Sequence, residues 1–194
     1  MTGQGDSIFH FISRFMGMSL IFETERLTVR SYASGDKQNF FLLNGNPDVV
    51  RYIRPVKSRE ECDAFLEQVM ADERIYPLFG RWAVIEKKTK GFVGSFAVIP
   101  VENEQHMQLG YALLPEHWGR GFATELTRAG LEYVFSRTGL DTIYAYTEKP
   151  NLASQKVLLK CGFLPHAEKL EKGKALVSFV YYKKDYEQRL EKTA

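Results

Sequence analysis

The sequence predicts a single mixed α/β domain, a twisted and mostly antiparallel sheet of six to seven strands with helices on both faces. Three observations carry this. Apolar stretches at 82–85, 92–101 and 106–114 are parted only by the short polar turns 87–91 and 102–105, which is a meander. After Leu114 the pattern changes to strand–helix units, with helical spacing over 122–137 and 152–161. The 194 residues hold no repeat, low-complexity tract or linker. Residues 19–190 are read as the domain and 1–18 as an N-terminal extension without an assigned role, Met16 and Met18 being alternative starts.

The elements follow in order. Leu20-Ile21-Phe22 and Leu27-Thr28-Val29-Arg30 read as one opening strand interrupted at Glu23-Thr24-Glu25. Ser34 is the expected N-cap of a helix through Phe40 to Leu43, stopped by Asn44-Gly45-Asn46-Pro47. Residues 48–53 form a helical turn that ends before Pro55. Ser58 with Glu61 is a capping-box pair opening a helix over 59–74, whose Cys62, Phe65, Leu66, Val69 and Met70 share one face. In the helix over 122–137 the buried face is Phe122, Leu126, Ala129, Tyr133 and Val134, with Gly139 as the expected stop. A strand over 142–147 follows, then a helix over 152–161 between Asn151 as N-cap and Gly162 as C′ residue. A hairpin from Phe163 to Lys183, turning near Lys172-Gly173, closes the chain.

Composition narrows the function. Hydrophobic residues are 44% and charged ones 26%, as in a globular protein, and the net charge of +2 gives no footprint for nucleic acid or an anionic membrane. No apolar run reaches the roughly 18 residues of a membrane span. Cys62 and Cys161 make no disulfide framework, and His10, His106, His117 and His166 have no metal-ligand spacing. A reducing, cytoplasmic setting without a bound metal is the expectation.

The chemistry concentrates at residues 118–124, Trp-Gly-Arg-Gly-Phe-Ala-Thr. A strand, a glycine turn and a helix N-terminus in succession present unpaired N–H groups and a favourable dipole to an anion such as pyrophosphate. An ordinary tight turn feeding a helix is the alternative reading. The loop lacks the Gly-Lys-Ser/Thr ending of a nucleotide-hydrolysing P-loop.

Two motifs resemble those of the GCN5-related N-acetyltransferase (GNAT) superfamily. Trp118-Gly119-Arg120-Gly121-Phe122-Ala123 is similar to its pyrophosphate loop, Gln/Arg-x-x-Gly-x-Gly/Ala. Asn151-Leu152-Ala153-Ser154 with Lys160-Cys161-Gly162-Phe163 resembles its Asn-x-x-Ser/Ala helix closing on Gly-Phe. The start, residues 23–30, looks like that of the ribosomal-protein N-terminal acetyltransferase branch, and the resemblance spans about residues 19–190. It implies an acetyl-CoA cleft at a splay between the strand before the loop and the strand over 142–147. The pyrophosphate would meet the amides of Gly119, Arg120, Gly121, Phe122, Ala123 and Thr124. The pantetheine arm would run along the backbone of Leu113 and Leu114, with Asn151 touching it as well as capping its helix.

The pattern also departs from the family. Trp118 replaces a phosphate-donating side chain, leaving Arg120 or backbone to compensate, and Leu158 stands where many members carry an acidic Tyr. The resemblance moves the general-acid role to Ser154, which alternatively bonds its own backbone. A free strand N–H near Leu113 is the expected oxyanion donor. Gln108 holds the position of the usual Glu base. Glu102, Glu104, Glu168 and Glu171 are weak base candidates that also read as solvated turn charges, with Tyr111 and His106 behind them, and a neutral amine needs none. Acceptor specificity falls to Arg51, Tyr52 and Arg54, suited to an acidic or carboxylate-bearing acceptor or else plain surface residues. The expected reaction is acetyl transfer to the α-amine of a protein or peptide. A small amine (polyamine, amino acid or aminoglycoside) and a non-catalytic acyl-CoA sensor are the alternatives, in a monomer or homodimer.

Overall fold

The computed structural model describes residues 19–102 and 104–192; the expected extension 1–18 lies outside them. Eight strands form one sheet: β1 (Leu20–Glu23), β2 (Leu27–Arg30), β3 (Gly80–Glu86), β4 (Phe92–Pro100), β5 (Met107–Leu113), β6 (Thr142–Glu148), β7 (Leu164–Glu171) and β8 (Lys174–Tyr182). Their order is β1-β2-β3-β4-β5-β6-β8-β7. The helices are α1 (Lys37–Asn44), α2 (Pro47–Val50), α3 (Arg59–Ile75), α4 (Phe122–Arg137), α5 (Leu152–Cys161) and α6 (Lys183–Glu191).

Eight strands exceed the expected six to seven because the opening strand is two. Thr24 makes the break a true turn: its N–H donates to Leu27 O and its Oγ1 accepts the Leu27 N–H, both at 2.8 Å. The chain reverses there, and β1 and β2 pair antiparallel. All neighbouring pairs are antiparallel except β5 and β6, which run parallel and meet only at Gln108 and Tyr144. Beyond that contact the two strands part. The sheet therefore opens a cleft at the C-terminal end of β5, next to the glycine loop.

Strand alternation sorts the core into two layers. Trp82 and Val84 face the layer shared with Phe96, Leu109, Phe122 and Leu126, where α4 and α5 pack. Ala83, between them, faces Phe40, Leu43, Cys62, Leu66 and Val69 of α1 and α3. Gly130 lets α4 sit close on the sheet, since a Cβ there would lie 2.4 Å from Phe96 Cζ. The Ser58–Glu61 capping box forms, with Ser58 Oγ accepting the Glu61 N–H and Glu61 Oε2 accepting the Ser58 N–H.

Two local readings are corrected, and one helix is new. Ser34 is not an N-cap; it begins a 3-10 turn (Ser34–Asp36) that follows Ala33. Helix α4 ends at Arg137 as expected and Gly139 follows at C′, but the stop is the extended Thr138 C-cap, and Gly139 does not take a left-handed conformation. Helix α6 carries no expectation, because its sequence is almost wholly polar and none of its residues is buried; Tyr186 docks it against Phe135 at 5.5 Å.

Asp36 fixes the 3-10 turn. It accepts two hydrogen bonds from Arg30, at 2.7 and 2.8 Å, and the Ala33 N–H at 2.9 Å, while only 4% exposed. Burial alone would raise its pKa, but the Arg30 and Ala33 bonds outweigh it and hold the carboxyl below its ordinary value. A depressed pKa stabilises the fold above the ordinary carboxylate value and ceases to do so as pH falls through the folded value. Asp36→Ala is expected to lower stability by about 3 kcal/mol at neutral pH, by leaving Arg30 uncompensated. Urea unfolding at pH 7 and pH 3 checks this; an equal loss at both would show that the charge pair contributes nothing.

Candidate active site

The glycine loop is built by its neighbours. Trp118 turns its indole back, donating from Nε1 to Leu113 O at 2.7 Å. Gly119 and Gly121 then adopt left-handed conformations, φ 70° and 80°, which glycine takes without steric strain. The first bond of α4 runs from the Glu125 N–H to Gly121 O, so the N–H groups of Gly121, Phe122, Ala123 and Thr124 have no partner within the helix. No side chain caps them from the N-cap position. This is an anion cradle of backbone amides at the positive end of a helix dipole.

A brace from the β1–β2 turn holds the cradle. Arg26 donates from Nε to Glu125 Oε2 at 2.6 Å and from Nη1 to Arg120 O at 3.0 Å, and its backbone N–H reaches Glu125 Oε1 at 2.9 Å. Burial disfavours the Glu125 charge, yet the Thr24 hydroxyl and both Arg26 donors keep its pKa below the ordinary value. The Arg120 guanidinium points to Glu86 at 2.5 Å and His117 at 3.0 Å. In this arrangement it braces the loop rather than extending toward an anion, so the amides carry the cradle. Sequence reasoning missed Arg26 and Glu125; the only signal was an Arg next to the expected interruption of the opening strand at Glu23-Thr24-Glu25.

The cleft continues from the cradle. The Leu114 N–H donates to Val93 O and its carbonyl accepts from the His117 N–H, so its backbone is committed. Alternation then turns the Leu113 N–H away from β4, toward the splay. Across the gap Asn151 Oδ1 caps α5 through the Ser154 N–H at 3.2 Å. That leaves Ser154 Oγ to meet the Tyr111 hydroxyl at 3.2 Å rather than its own backbone. Burial pushes the Tyr111 phenol up to about 12, with the Ser154 bond partly opposing it, so this pair holds protons at neutral pH. Leu158 is buried in the core.

The four carboxylates weighed as bases are each bound to lysine. Glu102 pairs with Lys172 at 3.1 Å, Glu168 with Lys149 at 2.7 Å and Glu171 with Lys169 at 2.9 Å. Glu104 meets Lys169, Tyr146 and His106, and hydrogen bonds from these, Lys169 foremost, lower its pKa to about 2. A carboxylate so held is a poor proton acceptor.

One continuous cavity of about 990 Å³ joins the cradle and cleft to the loops around α2. Its floor on the α1–α3 side is a strip of small residues, Ser95, Ala97, Gly110 and Ala112, which pair across β4 and β5. Tyr52 and Arg54 line it, whereas Arg51 is exposed and stacks 5.4 Å over Tyr52. Among the described residues no cluster of His, Cys, Asp or Glu could hold a metal, and no helix is long and apolar enough to cross a membrane.

Residues 26–164 match the acetyltransferase (GNAT) domain family. The chain belongs to the GNAT acetyltransferase family. The uncharacterized N-acetyltransferase YoaA of Bacillus subtilis (strain 168) is 30% identical over 146 residues, covering 74% of this chain and 82% of that protein. Among solved structures, spermidine N-acetyltransferase from Vibrio cholerae in complex with CoA and spermine aligns with a TM-score of 0.70 at 23% identity, over 82% of this chain and 97% of that one. Ribosomal-protein-S5-alanine acetyltransferase from Vibrio fischeri aligns with a TM-score of 0.69 at 22% identity, over 85% and 97%. The protein is thus an N-acetyltransferase of the GNAT fold, with acetyl-CoA as donor. The uncapped amides and the parted strands fit that donor, the first as a pyrophosphate cradle and the second as a slot for its arm.

Proposed function

We propose that this GNAT enzyme acetylates a primary α-amine at a protein or peptide N-terminus, with its chemistry at the splay between β5 and β6. The observation that carries the site is the Tyr111–Ser154 hydrogen bond facing the gap, beside the uncapped start of α4. Acetyl-CoA supplies an activated acetyl thioester. The Leu113 N–H stabilises the oxyanion as the amine nitrogen bonds to the thioester carbon. Ser154 gives its proton to the departing thiolate and is resupplied through Tyr111, while the C–S bond breaks. The amine proton leaves through water in the cavity, since Gln108 is no base and Glu104 is held ionised by its partners. A small-molecule amine is the second reading, favoured by the deep cavity and by the spermidine-acetylating neighbour.

CoA release from acetyl-CoA with a panel of acceptors tests this. Turnover with N-terminal peptides is expected; turnover only with polyamines would overturn the peptide reading. Acetyl-CoA binding without CoA release from any amine would make the protein a sensor. The floor of the cavity gives a second check. A Cβ at Gly110 would meet open space, so Gly110→Leu is expected to fold normally while projecting into the cavity. It should raise the acceptor KM about tenfold and leave acetyl-CoA affinity unchanged, the signature of lost acceptor binding. An unchanged acceptor KM would move the acceptor out of this cavity.

A further inference from the structure

The arginines that hold the fold together each meet a carboxylate: Arg26 meets Glu125, Arg30 meets Asp36 and Arg120 meets Glu86. Arg54 and Arg81 do not. Both line the cavity and are half-buried, and no ion pair joins either to an acid among the described residues. They converge on one ring, with guanidinium carbons 5.4 and 5.6 Å from the centre of Phe65, and Lys57 adds a third cation 5.4 Å from the same ring. Arg54 spends one N–H on Asn44 Oδ1 at 2.9 Å. Burial, and then the neighbouring Arg54 charge, bring Arg81 down to about 10. The buried Tyr32 hydroxyl beside them has no hydrogen-bond partner of good geometry.

Two sheltered like charges without a counter-ion oppose folding, and proteins keep such groups where a ligand supplies the missing charge. The cavity's own acids do not supply it. Asp48 is paired with neither arginine among the described residues. Glu102, Glu148 and Glu171 are taken by Lys172, Lys174 and Lys169. Arg81 shares a strand face with Ala83, so its inward position is set by the pleat and not by a mobile loop. Guanidinium forks match the geometry of a carboxylate.

We infer that Arg54 and Arg81 form an anion subsite for a carboxylate on the acceptor, which makes the acceptor an amine that also carries an acid group and not a polyamine. This rests on the acetyltransferase reading and on the cavity as the acceptor's side of the cleft.

The experiment compares Asp-initiated and Asn-initiated tripeptide amides, free glutamate and spermidine as acceptors for the wild-type protein and for Arg81→Gln, Arg81→Lys and Arg54→Gln. The wild type should show a KM for the Asp peptide or for glutamate at least about tenfold below that for the Asn peptide. Preference for the Asp peptide assigns a side-chain carboxylate on a peptide, and preference for glutamate the acid groups of a free amino acid. Arg81→Gln should bring the ratio near one, with Arg81→Lys partly restoring it. Arg81→Gln should also melt no lower than the wild type, since it removes an unpaired charge; a purely structural arginine would lower the melting temperature. Equal KM values in the wild type, an unaltered ratio in Arg81→Gln, or spermidine as the preferred acceptor would each overturn the inference. If no amine releases CoA, the acceptor reading fails separately. Glutarate, added with acetyl-CoA, then tests the subsite through thermal stability: a rise lost in Arg81→Gln supports it, and no rise overturns it.

Discussion

Gly121→Val is expected to abolish the rise in melting temperature that acetyl-CoA gives the wild-type protein. At about 100 times its dissociation constant a ligand adds about 2.7 kcal/mol to stability. For a chain of this length that corresponds to about 5–10 °C. Gly121 stands at φ 80° as the N-cap of α4, and a Cβ there would come within 3.4 Å of Arg26 Nη2. A β-branched residue in that conformation costs on the order of 1–3 kcal/mol. The loop must then either rotate its amides out of convergence or press on the arginine that braces it. The variant's own melting temperature should fall somewhat, so the decisive quantity is the increment on adding acetyl-CoA. A variant that keeps the full increment would place the pyrophosphate away from these amides. A wild-type protein with no increment would remove the donor site altogether.

That prediction rests on residues whose local geometry was readable in the sequence, and other residues were not so readable. The glycine loop and the Asn151-capped helix were legible because their geometry is local: left-handed glycines and an N-cap serve positions within four residues of themselves. The same holds for the Ser58–Glu61 box. Thr24 looked like an interruption because its turn depends on a side-chain hydroxyl, and apolar spacing carries no trace of that. Arg26 and Glu125 are about a hundred positions apart, and nothing in either segment announces the partner. Arg81 was the more readable omission. It occupies the same face of β3 as Ala83 and Ile85, an inward face, and a charge at an inward strand position is itself a signal. Glu104 was weighed as a base on its place in a turn, but Lys169 and Tyr146, which disable it as one, arrive from other strands. Local chemistry was visible; long-range pairing, which decides protonation and charge balance, was not.

Ser154→Ala is expected to lower kcat by about 10²–10⁴-fold with little change in acetyl-CoA affinity, because the lost hydroxyl serves the departing thiolate and not the bound ground state. Its N–H would still donate to Asn151 Oδ1, so the start of α5 stays capped. Tyr111→Phe removes the group behind Ser154 and should lower kcat by a smaller factor, about tenfold, since water in the cavity can resupply the serine. The pH profile separates this scheme from its rivals. Tyr111, raised to about 12 mainly by burial, remains protonated throughout the usual assay range, so the pair introduces no fall in rate on the alkaline side. The rising limb then reports the acceptor. An α-amine loses its proton near pH 7.7–8.0, so kcat/KM should climb to about pH 8 and level off. A lysine-like amine would carry the climb on toward about pH 10. A decline above pH 8 that Ser154→Ala or Tyr111→Phe abolishes would assign the pair a low pKa, and proton donation through it would have to be given up.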